Sequence, residues 1–106
     1  MSKYGNRKVS TTDGIVHDSQ REAVRWTELK LLERSGEITD LQRQVKYELI
    51  PPQKGERAVT YIADFVYTDV RTGNTVVEDT KGFRTKDYII KRKLLLYVHG
   101  LRITET

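Results

Sequence analysis

The segment that most constrains the fold is the β-type run AVTYIADFVY at residues 58–67. Valine, isoleucine, threonine, tyrosine and phenylalanine favour strands, so the run predicts a strand with two largely apolar faces. Asp64 interrupts it on the face that strict alternation also gives to Ile62 and Val66. A solvent-facing edge position is the alternative, which the apolar neighbours on both faces disfavour. Because aspartate is rarely buried alone, the run predicts a central strand whose acid has a partner.

Around this strand, the sequence predicts a mixed α/β domain. Asp13 and Gly14 are typical of a hairpin turn, and Ser19 followed by Glu22 is typical of the start of a helix. We expect a single domain over residues 1–106, with a mixed sheet flanked by two helices. The expected order is a β-hairpin at residues 8–16, a helix at 20–34, strands at 44–49, 58–67 and 75–80, a helix at 86–97 and a short strand at 101–104.

Composition excludes several classes of protein. The chain has 106 residues and no cysteine, which excludes a disulfide scaffold, a thiolate nucleophile and a cysteine-ligated metal site. No apolar run approaches the ~20 residues that a membrane-spanning helix needs, and the first residues lack a signal-peptide pattern. The two histidines, His17 and His99, are too few for a histidine-rich metal site, and we regard both as incidental. We expect a soluble, cytoplasmic protein with no membrane partner.

Charge is distributed unevenly along the chain. Residues 10–80 hold nine basic and thirteen acidic side chains, whereas residues 81–102 hold seven basic ones and a single acid. Basic surfaces attract polyanions, because each neutralised phosphate releases condensed counterions. The basic ends of the chain therefore predict DNA binding, and an ordinary solvated surface is the alternative. The side chains expected to contact DNA phosphates are Lys3, Arg7, Lys8, Arg84, Lys86, Lys91 and Lys93.

A second acid, Glu22, lies on the apolar side of the first predicted helix. On a helical wheel of ~100° per residue it falls about 20° from Leu29 and about 40° from Trp26. This position predicts that the carboxylate points towards the sheet. The alternative is that Glu22 only closes a capping box with Ser19.

A third acid, Asp79, is predicted to lie opposite Asp64. Strand alternation places Val77, Asp79 and Lys81 on one face and Glu78 on the other. A turn centred near residues 71–72 makes Asp64 and Asp79 cross-strand neighbours, where two bare carboxylates repel. Mg²⁺ binds such oxygen ligands, and a nearby lysine can orient or deprotonate a water molecule. These are the groups that metal-assisted phosphodiester hydrolysis requires.

The spacing of these residues resembles the PD-(D/E)XK nuclease superfamily. The motifs are VHDSQREA at residues 16–23, YIADF at residues 61–65 and VEDTKG at residues 77–82. They are most similar to a small phage and prophage family of Holliday-junction-resolvase-like endonucleases, and the similarity covers almost the whole chain. One departure is Ala63, which stands where the superfamily motif has proline.

The resemblance implies a restriction-endonuclease-like core and a role for each acid. Asp64 and Asp79 would bind Mg²⁺, for which Mn²⁺ would substitute, and Glu22 would complete the metal site. Lys81 would be the catalytic lysine. The implied activity is an endodeoxyribonuclease acting on branched DNA such as four-way junctions, and two symmetric cuts would require a homodimer.

Other functions stay open. The alternatives are a nicking or sequence-specific endonuclease, a non-catalytic nucleic-acid-binding module, and an assembly protein. Among the remaining residues, Asp18, Gln44 and Glu78 are candidates to support the site, although ordinary structural roles also fit them. Trp26, Tyr88 and Tyr97 are expected in the core.

Overall fold

The computed structural model describes residues 8–80 and 84–106. Their order of strands and helices is the one that the sequence predicts, with somewhat different boundaries. The third strand is much longer than residues 44–49, and the second helix runs two residues further. The elements are β1 (Val9–Ser10), β2 (Val16–His17), α1 (Gln20–Arg34), β3 (Ile38–Ile50), β4 (Val59–Asp69), β5 (Thr75–Asp79), α2 (Lys86–His99) and β6 (Ile103–Glu105).

The strands form two sheets. β1 and β2 pair as a small antiparallel hairpin. The other four strands form a mixed sheet in the order β3-β4-β5-β6, in which only the β5–β6 pair is parallel. The expected mixed α/β fold is therefore confirmed. Within the described ranges, neither helix combines the length and apolar character that crossing a membrane demands.

Both helices begin at a capping hydroxyl. Ser19 accepts a hydrogen bond from the backbone N–H of Glu22 at 3.1 Å, and Thr85 accepts one from Tyr88 at the same distance. Gly36 follows α1 with a φ of 83°, and Gly100 ends α2 with a φ of 69°. These left-handed conformations favour glycine, so the ends of the helices are encoded locally.

Each helix covers a different apolar cluster. Trp26 and Leu29 of α1 pack with Phe65 and Tyr67 of β4, whereas Tyr88 of α2 belongs to the other cluster. The expected core positions of Trp26 and Tyr88 are confirmed, because their exposed fractions are 6% and 5%. The expectation for Tyr97 is wrong: it lies on the solvent side of α2 with 87% of its surface exposed.

The alternation of side chains between the two faces of the central strand β4 shifts by one residue partway along the strand. Tyr61, Ala63 and Val66 pack in the α2 cluster, whereas Phe65 packs in the α1 cluster. Strict alternation would put residues 61, 63 and 65 on one face, so the alternation slips by one residue at Asp64. The prediction that Asp64 shares a face with both flanking apolar residues is therefore wrong.

The neighbouring strand β3 changes faces at the same level. Val45 packs against the α2 cluster and Leu41 against the α1 cluster, although their spacing would place them on one face. Between them, Gln44 lies opposite Asp64 and has a φ of 55°. We call the opposite positions Gln44 and Asp64 the face switch, because the side-chain alternation of both strands shifts there.

A buried ion pair joins α1 to β5. Glu78 is fully buried, and its two carboxylate oxygens accept hydrogen bonds from Arg25 Nε and Nη2, both at 2.7 Å. The hydroxyl of Tyr67 also donates to this carboxylate. The bidentate geometry is the strong form of a carboxylate–guanidinium contact. It fixes the position of α1 on the sheet.

Removing the cation of this pair should destabilise the fold. In Arg25→Met the Glu78 carboxylate stays buried without its charge partner, and we expect the free energy of unfolding to fall by about 3 kcal/mol. The control Arg34→Met, an exposed arginine in the last turn of α1, should lose about 1 kcal/mol or less. Urea denaturation measures both values. Equal losses in the two variants would contradict a stabilising role for the pair.

Candidate functional site

Glu22 is buried between α1 and the sheet, as the helical wheel predicts. Its exposed fraction is 4%, and its Oε1 accepts a hydrogen bond from Gln44 Nε2 at 3.2 Å. Burial raises its pKa to about 7, and the charges of Asp64, Asp18 and Asp79 add to the effect, whereas Arg43 opposes it. The interpretation of Glu22 as a helix-capping residue alone is therefore insufficient, because its carboxylate belongs to a group of acids.

Asp64 joins the central strand to the residue after β5. Its Oδ2 accepts hydrogen bonds from the backbone N–H of Thr80 at 2.8 Å and from the Thr80 hydroxyl at 3.0 Å. The adjacent register pairs Phe65 with Glu78, so one further step along both strands brings Asp64 opposite Asp79. This register agrees with the cross-strand relation predicted from the turn.

Asp79 lies at the end of β5 and is 2% exposed. Its Oδ2 accepts a hydrogen bond from the Tyr61 hydroxyl at 2.6 Å. Burial raises the pKa of Tyr61, and the charges of Asp79 and Asp64 raise it further. The charges of Asp79 and Asp64 act both on Tyr61 and on Glu22, and we call Glu22, Asp64 and Asp79 the acidic cluster.

Gln44 holds Glu22 from a strained backbone position. A left-handed conformation costs a residue other than glycine about 1–2 kcal/mol, and the φ of Gln44 lies in that region. Such strain is often found where a side chain has to be aimed at a functional group. Here the amide points at Glu22. The proposed support by Gln44 therefore has a structural basis in this hydrogen bond.

His17 is part of the site, although the sequence gives no reason to select it. The ring is fully buried, and its Nδ1 lies 3.9 Å from Glu22 Oε1 without a hydrogen-bond partner among the described residues. Burial lowers the pKa of His17, and the nearby Arg43 lowers it further. A neutral imidazole therefore faces the acidic cluster. His99 is remote from it and contacts the backbone oxygen of Glu48 at 2.7 Å.

Arg43 is the second residue that sequence reasoning missed. Its Nη2 donates to the backbone oxygen of Val16 at 3.3 Å, and its buried Nε has no partner among the described residues. Its charge lowers the pKa of Glu22. Arg43 is the neighbour of Gln44 in sequence, and only the unexpected path of β3 brings it here.

The other residues predicted for the site have different surroundings. Of the adjacent acids Glu78 and Asp79, Glu78 accepts hydrogen bonds from Arg25 and Tyr67. Asp79 is the one whose charge acts on Glu22. Exposed Asp18 forms an ion pair with Lys8 at 3.3 Å. The other described residues that are predicted to contact DNA lie on or next to α2. Arg84 is hydrogen-bonded to Glu105. Lys86 and Lys93 are exposed, and Lys91 is half-buried. Lys3, Arg7 and Lys81 lie outside the described residues.

The acidic cluster has the donor chemistry of a site for a hard divalent cation. Mg²⁺ prefers carboxylate and water oxygens, and a cation here would offset the charges that raise the pKa of Glu22. Within residues 8–80 and 84–106, however, no three histidine, aspartate or glutamate side chains converge closely enough to hold a metal ion. Asp64 is engaged by Thr80 and Asp79 by Tyr61. Each of these hydrogen bonds engages one carboxylate oxygen, Oδ2, in both residues.

The comparisons with known proteins give a family. A family model described as "Protein of unknown function (DUF1064)" matches residues 1–103. The chain belongs to this family. No curated protein and no solved structure gives a significant match. The chemistry of this DUF1064 chain has to be inferred from its own side chains.

The raised pKa of Glu22 makes a prediction about pH and stability. The folded DUF1064 chain binds this proton more tightly than the unfolded chain does, since the pKa rises from 4.5 to about 7. The resulting stability is complete below about pH 4.5 and is lost as the pH rises through 7, a change of at most about 3 kcal/mol. Glu22→Gln should remove this loss, as measured by urea denaturation in EDTA at several pH values.

Two comparisons isolate the effect of Glu22. His17 titrates in the opposite sense, because a lowered histidine pKa adds stability at higher pH, so its contribution opposes that of Glu22. The control Glu56→Gln changes an exposed loop glutamate and should retain the wild-type profile. If the free energies of unfolding of wild type and Glu22→Gln changed with pH in parallel, Glu22 would have the same pKa in the folded and unfolded states.

Proposed function

We propose that this chain is a divalent-metal-dependent endodeoxyribonuclease that hydrolyses phosphodiester bonds in branched DNA such as four-way junctions. The main support is the acidic cluster, in which Glu22 is buried and the charges of Asp64 and Asp79 help to raise its pKa. Acids that only stabilise a fold are compensated, as Glu78 is by Arg25. Acids left with excess negative charge at one place are typical of a functional site.

The sequence resemblance supports the same conclusion. The acidic cluster combines one residue from each of the three motifs that resemble PD-(D/E)XK nucleases. The sequence then places a lysine, Lys81, two residues after Asp79.

Each residue has a defined role in the proposed reaction. A bound Mg²⁺ or Mn²⁺ ion would polarise the phosphate and neutralise charge in the transition state. Asp64 and Asp79 would hold the ion and Glu22 would complete its site. Lys81 would orient the attacking water or, in its neutral form, take a proton from it. The water oxygen bonds to phosphorus as the bond to the leaving sugar oxygen breaks. The leaving oxygen then acquires a proton from solvent.

The proposed substrate explains the basic parts of the chain. Lys3, Arg7 and Lys8 at one end, and the basic residues from Arg84 to Lys93, would bind DNA phosphates. Cutting two strands of a junction symmetrically requires two active sites, so we propose a two-fold homodimer. We also propose that the enzyme acts in the cytoplasm of a phage-infected or prophage-carrying host.

The proposed activity depends on Asp79. Asp79→Asn keeps an oxygen for the Tyr61 hydroxyl but removes the negative charge, so the fold should persist. We expect cleavage of a four-way junction in Mg²⁺ to fall by about 100-fold or more, since charge stabilisation by a metal contributes several kcal/mol. Gel electrophoresis of labelled junctions and matched linear duplexes, in Mg²⁺, Mn²⁺ or EDTA, measures the rates.

A matched variant controls for the substitution. Asp40→Asn makes the same change at an exposed position of β3 whose φ of 56° asparagine tolerates, and it should cleave like wild type. Junction binding by wild type without cleavage in either metal would favour the non-catalytic binding module. Equal cleavage of junction and linear duplex would favour a nicking or sequence-specific endonuclease.

Lys81 has its own prediction. Lys81→Met should retain most of the affinity for the junction but lose about 100-fold to 10,000-fold in turnover, the range for removing a proton-transfer group. The control is Lys54→Met, which changes an exposed lysine in the loop between β3 and β4. Single-turnover cleavage at saturating protein separates the two effects. Normal turnover in Lys81→Met would remove the role assigned to this residue.

A further inference from the structure

A basic groove lies between α2 and the edge strand β6. Its volume is about 350 Å³. The residues that line it are Arg92, Lys93, Leu96, Arg102 and Ile103. Three of the five are cations and none is an acid. We call these five residues the basic groove.

Among the described residues, the three cations of the groove outnumber the acids that interact with them. Glu105 interacts electrostatically with Arg92, but its carboxylate already accepts hydrogen bonds from Arg84 at 3.0 Å and from Tyr88 at 2.6 Å. Asp87 is the only acid of α2. It lies five residues before Arg92, outside the three- and four-residue spacing at which helix side chains meet. The groove therefore presents net positive charge to a ligand.

The β5–β6 ladder places this groove at a fixed distance from the acidic cluster. Ile103 pairs with Val77, and Glu105 pairs with Asp79 two residues further along the same ladder. At ~3.3 Å per residue, the wall of the groove is about 7 Å along the strand from Asp79. The groove and Asp79 therefore lie at neighbouring positions of the same ladder.

We propose that the basic groove binds a backbone phosphate of the nucleic acid, next to the phosphate at the acidic cluster. The guanidinium groups of Arg92 and Arg102 suit phosphate oxygens, because their donors form a fork. Leu96 and Ile103 provide an apolar wall for the sugar carbons. This inference rests on the proposed function for the class of ligand, and it adds Arg92 and Arg102 to the predicted DNA contacts.

An anionic membrane surface is the competing partner. α2 also exposes Ile90 and Tyr97, and a basic helix with apolar exposed residues can lie on a membrane. The cations of the groove favour nucleic acid, because they line a concavity between α2 and β6 rather than a convex helix face. A phosphodiester backbone enters such a groove more readily than a flat layer of headgroups does.

The test compares two double variants with the same change in charge. Arg92→Gln/Arg102→Gln alters the groove. Arg34→Gln/Arg71→Gln alters the end of α1 and the β4–β5 turn, away from the acidic cluster. Fluorescence anisotropy with a labelled four-way junction, over a KCl series in EDTA, measures affinity without cleavage. Circular dichroism melting checks that both variants fold.

We expect the groove variant to lose about tenfold or more in affinity relative to the control variant. The slope of log affinity against log salt should also fall by about 1 to 2, as for one or two lost phosphate contacts. Equal affinities and slopes in the two variants would overturn the proposal. A groove variant that loses binding to phosphatidylserine vesicles but keeps junction binding would also overturn it.

The outcomes separate this inference from the proposed function. Wild-type protein that binds junctions through the groove but cleaves nothing in Mg²⁺ or Mn²⁺ would overturn the nuclease proposal and support the groove. Cleavage by wild type, together with a groove variant that binds like the control variant, would overturn the groove alone.

Discussion

The free-energy cost of burying carboxylates is the constraint on which the rest of this structure depends. Glu78 and Glu22 are both buried where α1 meets the sheet, but their carboxylates have different partners. Arg25 neutralises Glu78 with two hydrogen bonds, and this contact docks the helix. Glu22 receives a neutral amide and further negative charge, and its pKa rises to about 7. The Arg25–Glu78 ion pair holds α1 on the sheet, and the same helix carries Glu22, whose charged form is disfavoured by burial. One helix therefore contributes both to stability and to the candidate site.

The face switch explains how acids from three elements act on one another. In a regular sheet, residues that alternate along β4 would pack with a single helix. The alternation shifts by one residue at Asp64, so that Ala63 before it packs in the α2 cluster and Phe65 after it packs in the α1 cluster. Asp64 is coupled both to Glu22 of α1 and to Tyr61, which binds Asp79. A strand irregularity brings together charges that a regular sheet would keep on separate faces.

The sequence predicts those features that depend on local patterns. Element order, the capping by Ser19, the inward position of Glu22 and the pairing of Asp64 with Asp79 follow from periodicity and turn position. The face switch does not, because glutamine is not a signal for left-handed backbone in a strand. His17 and Arg43 were missed for the same reason, since their places beside Glu22 depend on the packing of the hairpin and the path of β3. The metal, the DNA substrate and the dimer remain predictions.

The left-handed backbone at Gln44 has a consequence for how this protein tolerates sequence change. Glycine would adopt the same φ without strain and would relieve the backbone, but it has no amide to hold Glu22. Valine or isoleucine, which strands otherwise favour, would be opposed by the clash of a branched side chain in this conformation. The backbone conformation and the hydrogen bond to Glu22 therefore place opposite demands on this position. A variant library screened for activity should retain the glutamine despite its backbone cost.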